Sequence, residues 1–448
     1  MKTSTTSVLL STLAALGSAC LLPEESVPGA ENGIIRRQTG NTGLAIGSGN
    51  RFINGTIPRG LGSQAPGVDL ESILNVEEVY SAIKALADEY DLEYFEAPVK
   101  TYEKRSIVGV KVGGQKNCSS SYHVYFNGAI HARERGSHDN LIYFLSDLLW
   151  ANKHNEGLTY GGNVYSNCDV RRAISTGIVF LPLSNPDGVA WDQSTHTCWR
   201  KNRNPAAATA GNPASIGIDL NRNFDFLFDF KKQFHPTVGP NVASTNPAAQ
   251  TYQGAAPFSE AETQAIKWVM DEHTNLRWYM DVHAYYGVLL YSWGSDSAQT
   301  RKPYMNFMNS SYDSVRGLMP DDPATGAVYG EYMPSGDWSD KVYAAMRSVN
   351  AMENVGGPDR HYEAMSAAYL YPTSGASDDY AYSRHFVDPS QSKIHAYCLE
   401  FGFGNRQASC AFYPTKEAYH LSMLETNAGF MEFLLSASEI GLGDEGTC

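Results

Sequence analysis

The chain has 448 residues, 42% of them hydrophobic, and a formal net charge of -14 at pH 7. That length can bury a sizeable core as one large α/β domain or two ordinary ones. No run of Lys or Arg interrupts the acidic balance, which argues against nucleic acid or an anionic membrane surface as partner, because both call for a concentrated basic patch.

Residues 1–19 read as an export signal: Lys2 supplies positive charge, Val8 to Leu16 form a short apolar stretch, and Gly17-Ser18-Ala19 suit cleavage before Cys20. The apolar run is too short to span a bilayer. A lipoprotein anchored through Cys20 is the alternative, although Gly17 stands where that processing motif prefers Leu. Residues 20–71 are rich in Gly, Pro, Ser and Asn without a sustained apolar period, and read as propeptide or linker. Within them Arg36-Arg37 is a candidate dibasic processing site that would make Gln38 the new N-terminus. Seven cysteines occur; removing the signal and a short following segment leaves Cys118, Cys168, Cys198, Cys398, Cys410 and Cys448. An even set in an exported chain predicts up to three disulfides. Asn54, Asn117 and Asn309 open glycosylation tripeptides.

From Val76 the pattern becomes regular. VEEVYSAIKALADEY places Val79, Ile83, Leu86 and Tyr90 at helical spacing. Strands are expected at 106–112, 123–126, 177–183, 278–283, 288–292 and 394–401, and further helices at 137–153, 259–274, 337–351 and 415–437. This alternation predicts an α/β sheet covered by helices on both faces. Active sites of such sheets gather at the carboxyl ends of strands, where His131, Asn185, His283 and Glu400 are expected to fall.

Of twelve histidines, only His131 is followed three residues later by Glu, in His131-Ala-Arg133-Glu134. The pair follows a strand-like run (YHVYFNGAI) and precedes a helix, so a loop can turn both side chains onto one ion. A catalytic zinc site needs three protein donors and an open position. His283, closing the apolar strand WYMDVH, is the candidate third donor.

The segments HARE (131–134), WRKNR (199–203), DLNRNF (219–224), VHAYYG (282–287), LYPTSGASDDYAY (370–382) and YCLEFG (397–402) resemble, in order and separation, the motifs of the A/B-type zinc metallocarboxypeptidases. The resemblance covers roughly residues 72–437 and implies a single α/β catalytic domain there with a central mixed sheet covered by helices on both faces, a short tail at 438–448, and one Zn2+ on His131, Glu134 and His283, with Glu400 as general base. It implies that Arg200 stabilises the developing oxyanion, that Asn221 and Arg222 clamp a peptide's terminal carboxylate, and that Tyr371 closes over it. Arg133 and Tyr285 match contacts to the next substrate subsites, and Asp219 matches the carboxylate that holds the first zinc histidine. Asp378, seven positions after Tyr371, falls at the base of the pocket for the departing side chain, where Asp characterises enzymes that take Lys and Arg. Asp379 is expected to cap the following helix, and Ser366 and Gly294 to line the pocket as small residues. Pairing of Asp378 with a local cation such as Arg384 is the alternative. The implied activity is release of single residues from peptide or protein C-termini by a secreted monomer. Preference for aliphatic or aromatic ends, a related zinc amidohydrolase and an inactive binding homologue are the other readings. The members with a folded inhibitory prodomain have no counterpart here, since only about fifty unpatterned residues separate signal and catalytic region.

Overall fold

The computed structural model describes residues 21, 22, 25 and 40–443, apart from 66, 69, 240 and 320–328. The expected signal, Arg36-Arg37 and the last five residues lie outside the described residues. Eight strands form one sheet: β1 (Glu93–Lys100), β2 (Ser106–Val112), β3 (Val124–Gly128), β4 (Ile178–Leu181), β5 (Trp278–Ala284), β6 (Val288–Tyr291), β7 (Glu363–Ser366) and β8 (His395–Phe401). Their order is β1-β2-β4-β3-β5-β8-β6-β7. The four central strands β4, β3, β5 and β8 run parallel; β1, β2 and β6 supply the antiparallel pairings. The longer helices are α1 (Val76–Tyr90), α2 (Ser137–His154), α3 (Asn167–Ile174), α4 (Pro186–Thr195), the short α5 (Phe230–Gln233), α6 (Ala261–Glu272), α7 (Ser335–Gly356), α8 (Ser377–Val387) and α9 (Lys416–Ile440).

Both faces of the sheet are covered, so central strands are apolar on both sides rather than alternating. Side-chain alternation still sorts them. Trp278, Met280 and Val282 of β5 and Tyr397, Leu399 and Phe401 of β8 enter the core beneath α1, α2, α7 and α9. Tyr279 and Ala396 enter the second core, with Ile266, Val269, Tyr380 and Tyr382 of α6 and α8. With period two, Asp281, His283, Cys398 and Glu400 follow Tyr279 and Ala396 onto that second face. Polar residues thus occupy the carboxyl ends of β5 and β8 on that second face, and that is where a site can form.

Local chemistry fixes the elements that matter. Asn75 and Glu78 form a reciprocal capping box at the start of α1. Gly136, at φ 100°, joins the His131–Glu134 loop directly to α2 in a conformation that a Cβ would strain. The stretch from Gly40 to Glu71, expected as linker, carries no helix among its described residues and lies on the domain: Phe52, Ala65 and Leu70 join the main core, and Gly62 N–H donates to Asp147 at 2.8 Å.

Cys198 and Cys410 form a disulfide across 212 residues, a closure worth roughly 5 kcal/mol in the chain-entropy account. Cys118 is also disulfide-bonded, but Cys168 and Cys398 are free. Cys398 sits inside β8, where its neighbours are site residues rather than another thiol. Among the described residues, no helix is long and apolar enough to cross a membrane.

Candidate active site

The carboxyl ends of β3, β5 and β8 converge. His131 and Glu134 lie in the loop after β3, and His283 and Glu400 are register partners on the adjacent parallel strands β5 and β8. All four are buried. Donor atoms of His131, Glu134 and His283 lie within 4.8 Å of one another. His131 Nδ1 is 2.8 Å from Glu134 Oε1, His283 Nδ1 is 3.0 Å from Glu134 Oε2, and the two Nδ1 atoms are 3.1 Å apart.

The outer faces of both imidazoles meet carboxylates. His131 Nε2 lies 3.0 Å from Asp219 Oδ1, and His283 Nε2 lies 3.3 Å from Asp281 Oδ2. An ionised carboxylate only accepts, so each ring carries its proton on Nε2 and turns its Nδ1 lone pair inward. Two lone pairs and a carboxylate at this spacing repel unless a cation lies among them. Two nitrogens on one tetrahedral zinc would stand about 3.3 Å apart, close to the spacing here, and the aspartates are the acceptors that metal-bound histidines use. The donor set fits zinc.

Burial opposes charge throughout, yet specific partners win. Asp219 is held low against burial, by Arg200 and then His131. Burial, followed by the Arg200 charge, lowers His131 and keeps the imidazole neutral. Asp281 is kept low against burial by His283, and is anchored by Asn127 Nδ2 at 2.7 Å and Ser377 Oγ at 2.6 Å. Asp281 was not singled out in the sequence; the signal was Asp-Val-His, which places both side chains on one face of β5.

A pocket opens beside this cluster, lined by His131, Arg200, Asn221, Arg222, Tyr371, Asp378 and Glu400 together with Leu290, Ala367, Leu370, Thr373, Ala376 and Cys398. Arg200 donates Nη2 to Asp219 at 2.9 Å, while its Nη1 stands 3.3 Å from His131 Nδ1. Asn221 Oδ1 accepts from Ser377 N–H at 2.8 Å. Arg222 is held by the carbonyls of Asn221 (2.7 Å) and Asn241 (2.9 Å), with its guanidinium 5.8 Å from the Tyr371 ring. Cys398 Sγ lies 3.9 Å from Glu400 Oε1.

Several expectations are corrected. Asp379 does not cap α8, which begins at Ser377 after Ala376 without a side-chain cap; its carboxylate accepts Gly294 N–H at 2.9 and 3.0 Å. Asp378 faces the pocket and its Oδ2 has no hydrogen-bond donor, while Arg384 pairs with Asp271 at 2.8 Å. Ser366 Oγ bonds Trp293 O at 2.8 Å and Gly294 N–H bonds Asp379, so these small residues hold the segments beside the pocket through local hydrogen bonds. Asn185 caps α4 and donates to Ile130 O at 3.0 Å, so it buttresses the histidine loop from outside.

The two outer residues behave differently from the rest. Tyr285 packs on Phe412, ring centroids 4.8 Å apart. Arg133 is fully buried, its guanidinium 4.5 Å from the same Phe412 ring and paired in a fork with both oxygens of Glu25 at 2.8 Å. A carboxylate from the N-terminal segment therefore occupies this arginine, a contact between residues 108 apart in sequence.

Comparison with known proteins agrees with this geometry. A family model described as zinc carboxypeptidase matches residues 79–440. The chain is similar to carboxypeptidase B of Astacus astacus, 26% identical over 316 residues, covering 70% of this chain and 83% of that protein. It is similar to carboxypeptidase A4 of Mus musculus, 27% identical over 313 residues, covering 68% of this chain and 59% of that protein. In fold it is similar to the crystal structure of carboxypeptidase A from Helicoverpa armigera, with a TM-score of 0.60 at 21% identity over 84% of this chain and 76% of that one. Strand-end donors, buried second-face aspartates and a family match running from α1 through α9 lead to one conclusion, that the chain belongs to the zinc carboxypeptidase family.

Proposed function

We propose that the protein is a secreted exopeptidase that hydrolyses the last peptide bond of peptides and proteins, with preference for C-terminal Lys and Arg. The observation that carries this reading is the single pocket in which His131, Arg200, Asn221, Arg222, Tyr371, Asp378 and Glu400 meet. His131, Glu134 and His283 would hold the zinc, which when bound would supply polarisation of the scissile carbonyl and acidification of a water. Glu400, buried at the end of β8, takes the water proton and delivers it to the leaving nitrogen. Arg200, fixed by Asp219, presents a preorganised cation to the developing oxyanion. Asn221 and Arg222 bind the free terminal carboxylate, since a guanidinium meets it with parallel hydrogen bonds, and Tyr371 closes over the bound end.

A blocked dipeptide should be cleaved far faster than its C-terminal amide, and Arg222→Ala should narrow that preference. An enzyme that cleaves both equally is an amidohydrolase of another kind, and an unchanged preference in the variant removes Arg222 from the clamp.

Preference for basic ends follows from Asp378. A buried carboxylate oxygen without a donor is costly, and a substrate ammonium or guanidinium supplies one. Leu290, Ala367, Leu370 and Ala376 in the same wall favour the second reading, aliphatic or aromatic ends. Matched substrates ending in Arg, Lys, Phe and Leu separate the two by kcat/KM. Basic ends should lead by roughly a hundredfold or more; Phe or Leu cleaved as well as Arg would leave an exopeptidase without basic preference.

Export and removal of residues through Arg37 complete the reading, with the active species a monomer. Removal takes Glu25 away from Arg133, freeing that guanidinium for substrate. When the protein is made in a host with a dibasic processing protease, N-terminal mass spectrometry should find a chain beginning at or near Gln38. A stable product beginning at Cys20 would contradict it.

A further inference from the structure

The floor of the pocket is more highly charged than substrate binding requires. Asp378 and Asp379 stand side by side at the start of α8 and are both buried. Asp379 is satisfied by Gly294 N–H; Asp378 Oδ2 is not bonded. Burial raises both carboxyls above the ordinary Asp range, and Asp379 is raised further by the Asp378 charge.

Lys341 of α7 is also buried, with no hydrogen-bond acceptor at Nζ. Its ammonium stands 3.6 Å from the Tyr382 ring centroid and 6.0 Å from that of Tyr397. Tyr382 lies one turn beyond Asp378 on α8, so Lys341 stands on the same side of that helix as Asp378. A buried ammonium over an aromatic face is partly stabilised, but a lysine without an acceptor is otherwise unfavourable. Burial lowers Lys341 to about 7, and the charges of Asp337, Asp378 and Asp379 act against it in favour of the ammonium. Asp337 is already neutralised by Lys393 Nζ at 2.7 Å and accepts Tyr382 Oη–H at 2.8 Å. The uncompensated charge near Lys341 is therefore that of the pocket carboxylates.

We propose that Lys341 is the internal counter-cation of the Asp378–Asp379 pair and limits how strongly the pocket selects a basic C-terminal residue. It keeps the two carboxylates compatible with burial when the pocket is empty, or filled by an apolar side chain. When a Lys or Arg side chain enters, the substrate cation shares the field of Asp378 with Lys341 and gains less than it would from an isolated carboxylate. Lys341 touches no substrate atom; it is a positioning residue that sets the charge of the floor. The inference rests on Asp378 facing the departing side chain, and concerns how selectivity changes rather than which residue the wild type prefers.

The test is the ratio of kcat/KM for matched substrates ending in Arg and Leu, measured on the mature zinc-loaded enzyme. Lys341→Met should raise the Arg-to-Leu ratio about tenfold, as expected when a competing like charge is removed from a partly buried site. Lys341→Arg should hold the wild-type ratio. In an Asp378→Asn background the same Lys341→Met change should leave the ratio unaltered, because the coupling runs through the Asp378 charge. Lys341→Gln carries the same expectation as Lys341→Met should the latter fail to fold. An unchanged or lowered ratio in the folded neutral variants, or an equal rise without Asp378, would overturn the proposal. A wild type that favours Leu would defeat basic preference alone, since the direction of the Lys341 effect is read relative to wild type.

Discussion

Glu400→Gln should keep the metal and still bind a peptide end while kcat falls by roughly a thousandfold or more. The side chain lies beside the metal-type cluster but outside its three-donor set: its register partner on β5 is His283, and it lines the pocket with Arg200, Asn221 and Arg222. An amide has almost the same shape as the carboxylate, so packing against Cys398 and the strand is preserved. What it loses is the capacity to accept a proton from water and return it to the leaving nitrogen. The effect should therefore fall on kcat, with zinc content and calorimetric binding of a substrate-like C-terminal amino acid inhibitor close to wild type. Near-normal kcat would remove Glu400 from general-base catalysis; loss of metal in the variant would instead make it a ligand.

How far the sequence could carry this reading depends on where each signal was local. β5 was legible because WYMDVH is an unbroken apolar strand pattern ending in a polar residue, and α1 because its period and its Asn-Glu cap agree. β1 (EYFEAPVK) and β7 (EAMS) were missed: one contains a proline and the other has no β-branched residue, and each is an outer strand fixed by pairing with its neighbour. The period alone does not reveal α8, although a helix is expected after Asp379, because SDDYAYSRHFV has no clean apolar stripe; its first turn is buried against the sheet, so polar residues point inward to the site rather than outward to solvent. That same fact defeats the capping expectation for Asp379, since the helix had already begun at Ser377. His131 and Glu134 were legible from their spacing of three, whereas the Arg133–Glu25 fork and the contact of Lys341 with the Tyr382 ring join segments whose meeting only the tertiary structure decides. The free thiol of Cys398 was hidden by counting cysteines, because parity says nothing about which one lies inside a central strand.

His131→Ala or His283→Ala should reduce zinc content from stoichiometric to near zero. Each removes one of the three donors His131, Glu134 and His283, gathered within 4.8 Å of one another, and two donors rarely hold zinc against competing solvent and buffer. The outer aspartates provide a graded control. Asp281→Asn leaves all three donors in place and disturbs only the acceptor 3.3 Å from His283 Nε2, so metal affinity should fall about tenfold to a hundredfold rather than vanish. Elemental analysis of the purified variants, followed by competition with a chelator of known affinity, orders the three. Full zinc occupancy in either alanine variant would show that another residue supplies the third donor. Equal loss in Asp281→Asn and His283→Ala would mean that the aspartate itself binds the ion, in place of orienting the ring that does.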